Sequence, residues 1–567
     1  MWAAPPSPDI DIAAFAAALK IHPIAARVLI NRGITTIDKA QLFLDTPITS
    51  LHDPYLLPDM RIAIERILRA IQSGEPITLF GDYDTDGVCG TAMVARFFRD
   101  IGIQVHSVLP HRVRDGYGLS VAAVKKLMTE RNGLLITIDN GTSAADAVKA
   151  AQDAGIDVII TDHHHCPDSL PPAIAVVNPH RPDSTYPYPE LCGTGVAFKM
   201  LMALRKALRD SGFFADQQPN LMPYLTYVAI ATVADVMPLT GENRILVKAG
   251  LRSLATSPGT GLAVLMRLAN IDPATIDSES IAYRISPRLN AAGRMDDAQI
   301  AFNCLYEDDV VRAAEAAEQL DCLNTARQAA EQKILRSLDT PDMKLSIDSS
   351  SGIAIGSSDY AIGVVGIIAG RLARLHDKPA VVVSFEHGIG KGSARGISGI
   401  SVLKILEDCA GHLTAFGGHD QAAGVTVTPE QWPQFQNAFS EAASRYMATR
   451  TTSQRPVDAI VDATELTSQL GRDLKRLAPF GVGNPEPVLT VRPLTIHSRR
   501  LVGANHLKLR MGNNLVTVDA IGFGLWEHPA AQTAMQHVIG VPELNTWQGE
   551  TRLQLRLLDL DPKLDWL

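Results

Sequence analysis

Short apolar runs and amphipathic stretches alternate along most of this chain, and the alternation predicts an α/β fold. Residues 10 to 75 carry apolar side chains at helical spacing, in IHPIAARVLINRG and in MRIAIERILRAIQSG, the second closed by Gly74. From residue 77 strand and helix patterns take turns: ITLFGD, the helix TAMVARFFRDIG, then QVHSVLP, LLITIDNG and DVIITDHHH. Strands that alternate with helices in this way pair in parallel. A helical stretch rich in Ala, Glu, Gln and Leu runs from about 298 to 338, and a second α/β region from about 352 to 447. The polar segment ATRTTSQRP, 448 to 456, reads as a linker. Beyond it PVLTVRPLTIHS, HLKLRM, LVTVDAIGF and TRLQLRLLDL predict a small β-barrel. The expected organisation is a helical segment at 1–75, a parallel-sheet domain at 76–297, a connecting helix at 298–345, a second α/β domain at 346–447 and a β-barrel at 456–567.

Composition narrows the class. With 567 residues and 46% hydrophobic content the chain has material for several cores. No apolar run reaches membrane-spanning length, and the start MWAAPPSPDIDIAAF lacks the basic-then-apolar order of a signal peptide. No membrane association and a cytoplasmic location are therefore expected. Cys89, Cys166, Cys192, Cys304, Cys322 and Cys409 are scattered without CxxC spacing, which fits reduced thiols better than a disulfide frame or a zinc site. The net charge of -9 speaks mildly against a general polyanion binder. Metal-binding carboxylates, however, count as negative in that sum and are neutralised in the working protein.

The candidate chemistry sits where predicted strands end. In ITLFGDYDTDGVCGTAM, residues 77 to 93, Asp82, Asp84 and Asp86 follow an apolar run on alternate positions. Close like charges repel unless a cation neutralises them, so a metal is the first expectation. Asp139 follows LLITI, Asp162 with His163, His164 and His165 follows VIIT, and Asp235 stands in AIATVADVMPL. Each cluster alone has an ordinary alternative, a helix cap for an Asp or a solvated loop for the histidines. Four at successive strand ends are a different matter, because a parallel sheet brings them to one edge, where ligands of such folds collect. Two divalent ions about 3.5 to 4 Å apart need a bridging carboxylate and several terminal ligands, which several Asp and one or two His supply.

GDYDTDG, ITIDNG, TDHHH and VADVMPL together resemble the successive motifs of the DHH phosphoesterase superfamily, named for the Asp-His-His that stands here as Asp162, His163 and His164. PHRVRDGYGLS, YPELCGTGVAFKM, RISPRLNAAGRM, GVVGIIAGRLA, GSARGISG, FGGHDQAAG and LAPFGVGNPEP are similar to its branch of bacterial single-strand-specific exonucleases. The resemblance runs from NRGITTIDKAQLFL to the closing WQGETRLQLRLLDLDP. It implies that the parallel-sheet domain is a DHH catalytic domain, the second α/β domain a DHHA1 domain and the barrel an OB-fold. It also implies that Asp84, Asp86, His163 and Asp235 are metal ligands, that Asp139 bridges both ions and that His164 faces the substrate phosphate. Several relatives reach the first ion with a histidine where this chain has Phe80, and Asp82 is expected to fill that place. His165 takes no role from the family. Two departures lie outside the metal set: Ala361 and Ile362 stand where the family tends to have His and Pro, and GSARG replaces a frequent GSARS.

The remaining motifs read as a polyanion track. Arg288, Asn290 and Arg294 in SPRLNAAGRM set forked donors beside small residues, with a salt-bridged turn as the ordinary alternative. Gly417, Gly418 and His419 in FGGHDQAAG, and Ser393 and Arg395 in GSARG, offer further donors to an anion. Tyr117 in DGYGLS is a candidate base-stacking platform, as are Phe523 and Trp547 in the barrel, unless they serve as packing residues. The expected reaction is metal-assisted hydrolysis of a phosphodiester bond with two Mn²⁺ ions, or Mg²⁺ as the alternative, imidazole among the ligands favouring Mn²⁺. A 5′ to 3′ direction and mononucleotide products follow from the resemblance alone. Single-stranded DNA is the expected partner, with a helicase and a single-strand-binding protein around a monomeric enzyme. Two rivals stand beside this reading: a DHH phosphodiesterase of short oligonucleotides, which has little use for a barrel, and a catalytically inactive replication scaffold, which needs lost ligands.

Overall fold

The computed structural model describes the chain except residues 1, 7, 8, 113, 131, 132, 216, 451–453, 514, 515, 533, 534, 536, 548, 549, 563 and 565–567. Its first sheet is wholly parallel, with the strands His106–Val108, Ile77–Phe80, Leu134–Ile138, Val158–Thr161 and Ala175–Val177 in that spatial order. The sequences ITLF, LLITI and VIIT are apolar except for Thr78, Thr137 and Thr161 and are buried throughout, as a sheet covered by helices on both faces requires. Register puts Phe80 beside Val108 and Thr137, and Thr161 beside Ile138 and Val177, so the carboxyl ends of all five strands fall level.

The helix Thr85–Asp100 starts where Asp84 accepts from the backbone N–H groups of Asp86 and Gly87, a cap that contributes about 1 kcal/mol. Helices Gly193–Asp210 and Leu225–Ala234 pack against it. The second of these, LTYVAIATVA, has no polar stripe because the core surrounds it. The connecting stretch is not one helix: Gln299–Tyr306 and Val310–Leu338 make most of it, and a third helix, Pro341–Ser349, begins before its expected end. Glu307, Asp308 and Asp309 separate the first two: Asp309 caps the second helix, and Asp308 is drawn off by Arg96 and Arg99. The 29-residue helix is roughly 44 Å long. It buries Ala316, Ala317 and Leu320 in the parallel-sheet core and Ile334 and Leu338 in the core of the next domain.

That next domain holds a five-stranded sheet in the order Ala415–His419, Ala422–Val427, Ile389–Arg395, Ala380–Glu386 and Ile353–Ser357, parallel only in its last pair. The C-terminal strands from Ala459 to Leu560 form a seven-stranded sheet. The N-terminal residues divide between two bodies. Helices Ile12–Leu19, Pro23–Asn31 and Ile37–Asp45 share one core with the C-terminal strands, whereas Met60–Ser73 packs under the parallel sheet. The short strand Trp2–Ala3 pairs with Arg455–Pro456. Buried Arg244 ties the bodies together, donating to the carbonyls of Phe43, Leu477 and Ala478. Among the described residues no single helix is long and apolar enough to cross a membrane.

Candidate metal centre and substrate track

The acidic and histidine clusters meet at the level ends of the parallel strands. Asp82 follows Ile77–Phe80, Asp139 follows Leu134–Ile138, and His163 and His164 follow Val158–Thr161. Asp235 arrives differently from expectation. VADVMPL is no strand end but the C-terminus of the helix Leu225–Ala234, where Asp235 is the capping residue. His163 Nε2 lies 3.3 Å from Asp139 Oδ1, 3.5 Å from Asp235 Oδ2 and 3.8 Å from Asp86 Oδ2. Ligand atoms converge in three overlapping groups: Asp82, Asp84 and Asp139; Asp139, His163 and His164; Asp86, His163 and Asp235.

Local structure holds each ligand in place. Asp139 has a left-handed backbone, φ +64°, which Asp adopts more readily than most residues. Thr137 Oγ1 donates to Asn140 O at 2.6 Å and Asn140 Nδ2 to Ile138 O at 2.9 Å, clamping that turn. Asp86 accepts from the N–H groups of Gly193 (2.7 Å) and Thr194 (2.8 Å), at the positive end of the helix Gly193–Asp210. Gly193 cannot carry a side chain, because a Cβ there would stand 2.4 Å from Asp139 Oδ1. Asp162 is not part of the converging set. It accepts from the His163, His164 and Thr142 N–H groups and from His164 Nδ1 at 2.7 Å, which fixes the loop and its imidazole.

The charges are strained against one another. Burial, then repulsion from Asp86, Asp84 and Asp235, holds the Asp139 carboxyl well above the usual range. Burial and Asp84 do the same to Asp82, and burial with Asp86 and Asp84 pushes Asp235 up to about 8. Burial works against the charge on His164, but its hydrogen bond to Asp162 prevails and raises it to about 9. Asp82 Oδ1 and Asp139 Oδ1 are buried with no hydrogen-bond partner among the described residues. A buried acceptor left unpaired costs about 1–3 kcal/mol. Five carboxylates and an imidazole around such orphaned oxygens fit a pair of divalent cations, which remove both the repulsion and the missing partners.

Three family models match: DHH family, N-terminal domain, at residues 76–232, DHHA1 domain at 350–445 and RecJ OB domain at 457–559. The chain is 31% identical to the single-stranded-DNA-specific exonuclease RecJ of Escherichia coli over 574 residues, covering 96% of each. The chain belongs to the RecJ family. It is 33% identical to the RecJ of Bacillus subtilis, covering 97% of this chain and 70% of that one. The solved structure of Thermus thermophilus RecJ in complex with Mn²⁺ superposes with a TM-score of 0.83 at 29% identity, covering 99% of this chain and 80% of that one. The same protein has also been solved with Mg²⁺, with a TM-score of 0.77.

Against this RecJ-family centre the remaining candidates sort into three groups. Tyr117 stands at its mouth, 54% exposed, with Oη 3.1 Å from His164 Nε2 and its ring edge-on to Tyr83. Asn290 turns inward: its Oδ1 accepts from the Thr85 N–H at 3.0 Å and so props the DTD turn. Arg294 is half-buried beside Arg112 and Arg395, and desolvation followed by Arg112 pushes it down to about 10. Ser393 lies against the Arg395 guanidinium. Arg288 is engaged elsewhere, with Asp321 of the long helix at 2.8 Å and the Arg284 carbonyl, which is the salt-bridged alternative. Gly417, Gly418 and His419 line the exposed edge strand Ala415–His419. Phe523 is exposed and edge-on to His506, and the Trp547 side chain lies outside the described residues. Ala361 and Ile362 lead into the turn of Gly363, whose carbonyl faces Arg294 Nη1. Sequence reasoning missed Arg112, which donates to the Gly293 carbonyl and stacks 4.1 Å over Tyr83. Its only signal was its place in PHRVRDGYGLS.

Proposed function

We propose that this chain is a single-strand-specific DNA exonuclease that hydrolyses phosphodiester bonds from the 5′ end and releases mononucleotides, with Mn²⁺ or Mg²⁺ as its ions. The observation that carries the reading is the convergence of Asp82, Asp84, Asp86, Asp139, His163 and Asp235 at one sheet edge, with two carboxylate oxygens buried and unpaired. Asp139 belongs to the Asp82–Asp84 group and to the histidine group, which supports a bridging role; Asp86, His163 and Asp235 make the second position. Divalent ions held by these residues would supply an activated water and offset charge on the phosphate and the leaving oxygen.

The chain's own residues do the rest. His164, kept cationic by Asp162, donates toward a phosphate oxygen from the mouth of the centre. Arg112, Arg294 and Arg395 stand together, Arg112 and Arg294 within reach of Asp84, and offer forked donors to a phosphate of the strand next to the metal positions. Tyr117 offers a stacking face at the same opening. The DHHA1 edge strand with Gly417, Gly418 and His419 and the OB domain extend the grip on the strand. Intact ligands set this reading above an inactive scaffold, and the OB domain sets it above a small-substrate phosphodiesterase. In the same reading the protein acts as a cytoplasmic monomer, on strands opened by a helicase and coated by a single-strand-binding protein.

The test is incubation with Mn²⁺ of one single strand labelled at either end. The 5′ label is expected in mononucleotides from the first time point, while the 3′ label stays in long fragments. Release of the 3′ label first refutes the polarity. Equal rates on blunt duplex and single strand, with no helicase present, refute the single-strand preference.

A further inference from the structure

His165 is the one histidine of TDHHH that neither the metal centre nor the strand grip employs. Its ring centre lies 5.3 Å from that of His180 and 6.4 Å from that of His419. The three arrive from separate places: the loop after Val158–Thr161, the turn after Ala175–Val177 and the DHHA1 edge strand Ala415–His419. His165 and His419 are exposed and His180 is half-buried. Among the described residues, no hydrogen bond engages a ring nitrogen of any of the three. Three imidazoles whose ring nitrogens have no partner among the described residues are therefore gathered where the DHHA1 edge strand meets the catalytic domain.

Two of the three ring spacings, both to His165, approach that of a shared ion, while the three sets of ring nitrogens converge less tightly than the ligand atoms of the acidic centre. With Zn–N bonds of about 2.0–2.1 Å, an imidazole centre sits roughly 3 Å from the metal, and two imidazoles on one ion have centres roughly 4.5 to 6 Å apart. The His165–His180 spacing falls within that range, and the His165–His419 spacing needs only a small side-chain rotation at exposed positions. The donor type also separates this cluster from the neighbouring centre. Carboxylate-rich sets suit Mn²⁺ and Mg²⁺, whereas an all-imidazole set takes Zn²⁺ or Ni²⁺ far better than Mn²⁺.

We propose that His165, His180 and His419 form a third, interdomain site for a borderline transition ion such as Zn²⁺ or Ni²⁺. Occupancy pins the DHHA1 edge strand to the catalytic domain and slows hydrolysis. The inhibitory half rests on the nuclease reading; the ion site itself does not.

Calorimetric titration of the full chain with Ni²⁺ in an Asp139→Asn background, where the two-ion centre is weakened, reads the site without activity. One Ni²⁺ is expected to bind, and adding His165→Asn or His180→Asn is expected to weaken it at least about tenfold. Unchanged Ni²⁺ affinity in both overturns the site. In the otherwise unsubstituted chain, His165→Asn is expected to keep its Mn²⁺-supported hydrolysis within about twofold and to raise the Zn²⁺ concentration for half-inhibition about tenfold. Zn²⁺ inhibition that neither substitution changes overturns the regulatory half. Histidine-dependent Ni²⁺ binding in a chain that degrades no single strand supports the ion site and refutes the nuclease reading instead.

Discussion

Asp139 must satisfy two conditions at once, a left-handed backbone and a buried oxygen with no protein partner. Ala meets the first poorly, so Asp139→Asn is the substitution that isolates metal binding from backbone strain. Hydrolysis is expected to fall at least about 10³-fold, because the contact shared by both ions is lost. The metal-free melting temperature should hold or rise, since one repelling carboxylate is neutralised. Near-parental turnover in this variant would remove Asp139 from the bridging position. The same repulsion sets a pH dependence. Asp82, Asp84, Asp139 and Asp235 have raised folded-state pKa values, so their contribution to metal-free stability is present below about pH 4 and is lost as pH rises, through about 8 for Asp235. Mn²⁺ reverses that loss, and its stabilising shift in melting temperature should be larger at pH 8 than at pH 6; equal shifts would contradict the arrangement. At this scale the carboxylates were legible because like charges at alternate positions after an apolar run demand a cation. Arg112 was not legible, since an arginine's partner across a cleft leaves no local pattern.

Elements aim these residues, and the helix Gly193–Asp210 shows how. Its first two N–H groups hold Asp86, and its first residue must be small to clear Asp139. Gly193→Ala removes no ligand, yet the added carbon would stand 2.4 Å from Asp139 Oδ1, on a residue whose backbone turn is clamped by Thr137 and Asn140. It is expected to weaken Mn²⁺ binding at least about tenfold in calorimetric titration while circular dichroism keeps the parental helix content. Parental Mn²⁺ affinity would mean that the centre yields more easily than its packing implies. The strands were readable because buried parallel strands are short, continuous apolar runs. Asp235 was assigned to a strand end because the helix before it is apolar on every side, and such a helix carries no period to distinguish it from a strand. The break at Glu307–Asp309 was missed for another reason: the acidic residues that stop the helix look, in sequence, like its solvated face.

The arrangement of whole domains was the least legible level, because nothing in residues 12–45 announces a partner more than 400 positions away. Phe15, Leu19, Ile24, Val28 and Leu29 are buried in a core completed by Leu470, Leu509, Leu555 and other C-terminal residues. A chain ending near residue 450 would thus expose that entire face, and loss of function in it would say nothing about nucleic acid. It is expected to bind a hydrophobic dye and to aggregate. The informative comparison removes both halves of the shared core, leaving residues 46–450, which retain the metal centre, the long helix and the DHHA1 sheet. That shorter chain should remain folded and cleave short oligonucleotides. Phosphate contacts release counterions, so binding of a long single strand by the full chain should fall steeply with salt, and by residues 46–450 with a shallower slope. Both are to be measured in the Asp139→Asn background to prevent degradation. Equal slopes and affinities would show that the C-terminal domain does not touch the strand and would leave protein recruitment as its role. A folded 46–450 chain inactive on short oligonucleotides would instead place support for catalysis in the C-terminal body, with the Arg244 contacts to Leu477 and Ala478 as the connection to examine.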